Sequence, residues 1–120
     1  MSKLLITGAT GFLGSMLCNN LNLKNYLINA STRSDNQIMI EGIKCFNVGD
    51  INSKTKWNDA LFGVECVIHC AARAHVMKDR KQDILASYRK INVEGTRNLA
   101  MQAAMSGIKR FIFISSIKVN

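Results

Sequence analysis

Proline is absent from the whole chain, so every turn must be made by other residues, and Gly, Asn and Asp fill that role. No two cysteines form a C-x-x-C pair. Cys18, Cys45, Cys66 and Cys70 match no common zinc spacing and are expected to be reduced thiols that pack as small hydrophobes, with no metal bound. No apolar run approaches the roughly 18–20 residues that a membrane-spanning helix needs, so no membrane partner is expected. The start, MSKLLITG, has neither a long apolar stretch nor a cleavage site, which implies no secretory signal and a cytoplasmic location. Repeats, low-complexity tracts and linkers are missing too. A chain of 120 residues makes one domain at most.

With 48% apolar and 20% charged residues, the composition is that of a globular chain rather than a disordered one. The net charge is +8, and residues 72–120 hold ten Lys or Arg against three Asp or Glu. Such a bias attracts nucleic acid or anionic ligands. Here the basic residues are scattered and no aromatics interleave with them. A solvated basic surface that complements a phosphorylated ligand is the expectation, and a nucleic-acid partner is not.

Hydrophobic periodicity alternates between strand and helix. Lys3–Thr7 reads as a strand. Phe12, Leu13, Met16, Leu17 and Leu21 fall at helical spacing and predict an amphipathic helix over 12–22. Tyr26–Ser31 and residues 43–48 read as the second and third strands. Thr55 is placed to cap a short helix through Leu61, ended by Gly63. Val64–His69 reads as a fourth strand. Ile84, Tyr88, Ile91, Gly95, Leu99 and Ala103 predict a long helix closed by Gly107, and residues 110–115 a fifth strand. Several strands are apolar on both faces, as parallel strands covered by helices on both sides are. The alternation predicts a doubly wound α/β sheet with strand order 3-2-1-4-5, ending after strand five.

The sharpest motif is TGATGFLG, Thr7 to Gly14, directly after the first strand and leading into the first helix. Gly8 permits a tight turn. Gly11 leaves room for a pyrophosphate against the backbone, and Gly14 lets the helix pack close to the sheet. The helix N-terminus, at Phe12 and Leu13, then offers unpaired N–H groups and a positive dipole end to phosphate. A dinucleotide is the expected ligand. An acid that would accept from an NAD ribose belongs at the end of strand two. That place falls near Thr32, followed by Arg33, which suits a 2′-phosphate, and Asp35 comes late. The cofactor expected is therefore NAD or NADP.

The G-x-x-G-x-x-G spacing resembles that of the extended short-chain dehydrogenase/reductase family, which includes nucleotide-sugar epimerases and dehydratases on a Rossmann-type fold. Four further stretches carry the resemblance. Gly49-Asp50-Ile51 is similar to the family's GD(I/L) motif, VIHCAARAH (67–75) to its VIHLAA stretch, NVEGT (92–96) to N-x-x-G-T, and KRFIFISS (109–116) to strand five. The resemblance implies that Asp50, with Ile51 beside it, contacts the adenine. It implies that Ala71 and Ala72 lie against the cofactor, with Arg73 in reach of a phosphate and Asn92 tying its helix to the loop after strand four. His69 and His75 are expected to be structural or rim residues. Gly95, costly inside a helix by about 1 kcal/mol relative to Ala, is expected to be offset by close packing against the sheet.

Catalysis in that family uses a Ser or Thr and a later Tyr-x-x-x-Lys pair, and the resemblance makes Ser116 the catalytic Ser. Tyr26 and Tyr88 are the tyrosines of this chain, and the residues four places on are Ala30 and Asn92. The pair is missing. The resemblance therefore implies that residues 1–120 are an incomplete dinucleotide-binding domain, the N-terminal part of an enzyme more than twice as long. The IKVN tail and HCAARAHVMKD resemble a branch of UDP-N-acetylhexosamine epimerases and 4-ketoreductases linked to surface polysaccharides. That implies a UDP-sugar substrate for the whole enzyme, hydride transfer at the sugar C4, and an inactive isolated chain. Strand five, an unpaired apolar edge, implies self-association or a homo-oligomer. The alternatives are a non-catalytic NAD(P)-sensing protein and a basic nucleic-acid-binding module.

Overall fold

The computed structural model describes residues 2–33, 41–70 and 82–114. The elements in chain order are β1 (Lys3–Ile6), α1 (Phe12–Leu23), β2 (Leu27–Thr32), β3 (Ile43–Asn47), α2 (Asn58–Leu61), β4 (Cys66–His69), α3 (Gln82–Met105) and β5 (Arg110–Phe113). The strands form one sheet in the order β3-β2-β1-β4-β5, and every pairing is parallel. The Rossmann-type architecture and its strand order are as the sequence predicts.

The pleat sorts the core into two layers. Successive side chains of a strand point to opposite faces, so Leu4 and Ile6 of β1 face one way and Leu5 the other. Leu4, Ile6, Ile28, Ala30 and Ile68 join Ala9 and Cys18 in a layer under α1, with Leu17 and Leu21 packed against it. Leu5 and Val67 join Trp57, Leu61, Leu99 and Ala103 in the opposite layer, under α2 and α3. Asn29 lies in the row of Leu5 and Val67. Its buried amide is satisfied because Nδ2 donates to the Ala60 carbonyl of α2 at 2.8 Å.

Four local expectations are corrected. Tyr26 precedes β2, because its N–H bonds the Leu21 carbonyl and so belongs to the turn that ends α1. Val64 precedes β4 for a like reason: its N–H closes a turn on Leu61 O at 3.1 Å. Thr55 does not cap α2. Its hydroxyl is engaged within its own loop, donating to Asp50 O at 2.7 Å and accepting from Asn52 N–H at 2.8 Å, and Trp57 occupies the N-cap. Gly95 packs against a loop rather than the sheet, as described below. The end of α3 matches expectation: Gly107 N–H bonds Ala104 O and Ile108 N–H bonds Ala103 O. At the edge of the sheet, Ile112 and Phe113 of β5 are about half exposed, at 45% and 47%.

Candidate functional site

Because all five strands run parallel, their C-terminal ends lie along one edge of the sheet. The chain leaves β1 toward β2 on one side, and β4 lies on its other side, so the direction of winding reverses at β1. A crevice opens at such a point in open α/β sheets. The glycine turn sits there. Thr7 N–H pairs with Ile68 O at 3.0 Å, and the chain then folds back as Gly11 N–H bonds Gly8 O at 3.0 Å. Gly8 adopts φ +66°, in the left-handed region that a side chain disfavours.

Gly14 is where the absence of a side chain matters most. A Cβ there would stand 2.0 Å from Gly8 O, 2.7 Å from Gly8 C and 3.1 Å from Ala9 Cα. What packs on the first turn of α1 is thus the Gly8–Ala9 turn, not only the sheet as the sequence suggests. At Gly11 a Cβ would lie 3.3 Å from Gly8 O. Gly11 is the N-cap of α1, no side chain caps the helix, and no acidic residue stands in its first turn. Phe12 and Leu13 expose their side chains at this end. The donors and the dipole of α1 are therefore directed at the turn with no carboxylate of its own first turn competing for them, which suits a pyrophosphate. The residues present fit a dinucleotide.

The next two strand ends bring the adenine-side candidates together. Thr32 is buried at the end of β2, and its carbonyl accepts Val48 N–H at 3.0 Å. Arg33 follows at the surface, and its Nε lies 3.7 Å from Asp50 Oδ1, with side chains 63% and 81% exposed. An ion pair that open is worth no more than about 1 kcal/mol. It leaves the Arg33 guanidinium available to a phosphate. Ile51 is half-buried, and Gly95 of α3 packs directly on it: a Cβ on Gly95 would meet Ile51 O at 2.9 Å and Ile51 Cγ2 at 3.0 Å. The helix glycine is thereby explained by the approach of α3 to the loop after β3.

His69 is structural. It is 1% exposed at the end of β4, and its Nδ1 lies 2.7 Å from Thr7 Oγ1, which also accepts Cys70 N–H at 2.8 Å. Its Nε2 lies 3.1 Å from Thr96 Oγ1 on α3. Phe111 and Phe113 flank the ring. Burial lowers its pKa to about 4, so the ring is neutral at pH 7 and ties the glycine turn, β4 and α3 together. Asn92 is half-buried on the same helix, one turn before Thr96. The thiols belong to the core. Burial, then the neighbouring Cys70 and Cys45 thiols, raise Cys18 to about 11, and burial also raises Cys66 and Cys70, so these three are not primed as nucleophiles. Ser116, Ala71, Ala72, Arg73, His75 and Asp35 lie outside the described residues. No helix among the described residues is long and apolar enough to cross a membrane. Sequence reasoning missed Asn98 and Gln102, which hold the loop behind Asp50. Two amides at i, i+4 on a helix flank beside core positions were the available signal.

The model of the NAD dependent epimerase/dehydratase family matches residues 4–119. A UDP-glucose 4-epimerase of Vibrio cholerae is 48% identical over 119 residues, which are 98% of this chain and 36% of that protein. The sterol demethylase protein B of Methylococcus capsulatus is 32% identical, over 93% of this chain and 34% of that one. Among solved structures, MoeE5 in complex with UDP-glucose and NAD superimposes with a TM-score of 0.79 at 26% identity, over 96% of this chain and 36% of that one. The UDP-N-acetylglucosamine 4-epimerase of Bacillus cereus shares the fold with a TM-score of 0.72 at 23% identity, over 97% of this chain and 40% of that one. The chain spans about a third of the length of the curated relatives it matches.

Proposed function

The chain belongs to the NAD dependent epimerase/dehydratase family, and from that membership we propose that residues 1–120 are the dinucleotide-binding N-terminal part of a UDP-sugar 4-epimerase or 4-ketoreductase. The observation that carries this reading is the 48% identity to a UDP-glucose 4-epimerase across nearly the whole chain. Gly8, Gly11 and Gly14 shape the turn for the pyrophosphate, with the backbone N–H groups at Phe12 and Leu13 donating to it. Asp50 accepts from the adenine amine, and Ile51 lies beside the ring. On this reading Ala71 and Ala72 lie against the cofactor, Arg73 reaches a phosphate, Asn92 ties its helix to the loop after strand four, and Ser116 donates to the reacting sugar oxygen. When bound, the dinucleotide would accept hydride from the sugar C4 in its oxidised form and deliver hydride to the 4-keto carbon in its reduced form, so that an epimerase uses both transfers and a ketoreductase the second alone. A general acid/base with a pKa brought near neutrality is also needed, and a Tyr-x-x-x-Lys downstream of residue 120 would provide it.

Two outcomes follow. The purified 120-residue chain binds a dinucleotide but converts no UDP-sugar. Measurable epimerase or reductase turnover by that chain would overturn the division of labour proposed here. Arg33→Ala lowers NADP affinity about tenfold and leaves NAD affinity within about twofold, because the 2′-phosphate is the group that would pair with the guanidinium in place of Asp50. Parallel titrations with NAD and NADP measure both. Equal losses for the two would remove Arg33 from cofactor selection.

A further inference from the structure

The loop that presents Asp50 and Ile51 has no regular structure until α2 begins at Asn58. Its backbone groups must find partners elsewhere or forfeit order. The exposed Arg33–Asp50 pair is too weak to place it. Some partners lie in or beside the loop itself, where Asn47 Oδ1 accepts Gly49 N–H at 3.0 Å and Asn52 Oδ1 accepts Lys54 N–H at 2.8 Å, and the others come from α3. Asn98 Nδ2 donates to Asn52 O at 3.2 Å and to Thr55 O at 2.8 Å. Gln102 Nε2 donates to Thr55 O at 2.8 Å and to Asn98 Oδ1 at 2.8 Å, while Gln102 Oε1 accepts Trp57 N–H at 2.9 Å. Thr55 passes the restraint on, since its hydroxyl donates to Asp50 O at 2.7 Å. Gly95, Asn98 and Gln102 step by three and four residues, so they share one stripe of α3, with Gly95 pressed on Ile51.

We infer that Asn98 and Gln102 are positioning residues for the adenine end of the dinucleotide: through Thr55 they fix the backbone that carries Asp50 and Ile51. The inference rests on the proposed function, because it takes those two residues as the adenine contacts. It adds a role for α3 that neither the glycine turn nor the strand ends supply. The helix holds the loop by amide donors aimed at carbonyls and by Gln102 Oε1 on the Trp57 N–H, so a side chain without the amide, shorter at Asn98 and of similar length at Gln102, removes the hold without adding bulk.

The test titrates the 120-residue chain with two probes while backbone amides are followed by NMR. ADP-ribose carries the adenine, and inorganic pyrophosphate engages the glycine turn alone. In Asn98→Ala and in Gln102→Met, ADP-ribose affinity falls about tenfold, the size expected for one or two hydrogen bonds, and pyrophosphate affinity stays within about twofold. A merely structural role would weaken both probes alike, and that result overturns the inference, as does unchanged ADP-ribose affinity. Hydrogen exchange on the unsubstituted, ligand-free chain is an arm that needs no variant. The Trp57 amide, which donates to Gln102 Oε1, exchanges slowly if the clamp is formed in advance, and exchange as fast as in an unstructured peptide overturns it. Failure of the unsubstituted chain to bind ADP-ribose at all would instead sink the proposed function, and this inference with it.

Discussion

Gly14→Ala costs about 3 kcal/mol or more of folding stability and abolishes dinucleotide binding, whereas Gly11→Ala weakens binding about a hundredfold in a chain that still folds normally. The difference lies in what each Cβ meets. At Gly14 the added atom falls 2.0 Å from the Gly8 carbonyl oxygen and 2.7 Å from its carbon. Both are backbone atoms at the end of a buried strand, so no rotamer change relieves the overlap. The turn or the helix must move, at the upper end of the cost of overpacking a well-filled site. At Gly11 the contact is 3.3 Å, and the backbone, at φ −77° and ψ 174°, suits any residue. Stability should change by less than about 1 kcal/mol. The methyl group instead stands where a pyrophosphate would meet the N-terminus of α1, and affinity should fall about a hundredfold, near 2.7 kcal/mol. Denaturant unfolding and calorimetric titration of the two variants separate the effects. A folded Gly14→Ala chain of unchanged stability would contradict the packing, and a Gly11→Ala chain that binds normally would contradict the phosphate contact.

Stability should also rise steeply with pH between about 4 and 6.5, by about 3 kcal/mol across that window, and His69 should be the cause. The sign follows from where the proton binds. In the unfolded chain the imidazole titrates near its ordinary 6.5, while in the folded chain burial holds it near 4. Between those values the unfolded state carries more protons, so acid favours unfolding and stability falls as pH drops. Above about 6.5 both states are neutral and the contribution is flat. The ring bridges Thr7, Thr96 and, through the Thr7 oxygen, the Cys70 amide, so protonation would place a charge among groups that have no anion to offer. His69→Leu should flatten the window. It should also lower stability at pH 7 by about 2 kcal/mol, because the buried Thr7 hydroxyl and the half-buried Thr96 hydroxyl each lose one hydrogen bond. Unfolding curves collected from pH 4 to 8 for both forms test this. A slope that persists in His69→Leu would assign the titration to another group.

Much of the architecture was legible because it depends on patterns that act locally. Runs apolar on both faces announced parallel strands, the helical spacing of Phe12 to Leu21 announced α1, and the glycine triplet marked the crevice. What sequence could not give was the partner of each polar group. Thr55 carries the side chain of a helix cap, yet its hydroxyl serves Asp50 and Asn52, because α3 draws the loop inward by its carbonyls. Gly95 announced a close approach but not which backbone approaches, and it is Ile51 rather than the sheet. Arg33 and Asp50 were each singled out, for different ends of the adenosine, and only the register of β2 against β3 brings them within 3.7 Å. Amides are ordinary on a helix surface, and only the loop in place shows that Asn98 and Gln102 are half-buried against it.

The central claim, that this chain is a dinucleotide-binding unit built on the glycine turn, is met most directly by calorimetric titration of the folded 120-residue chain with NAD. Saturable binding at one site per chain, weakened about a hundredfold in Gly11→Ala, is the predicted result. A folded chain that shows no saturable binding up to millimolar NAD would contradict the account.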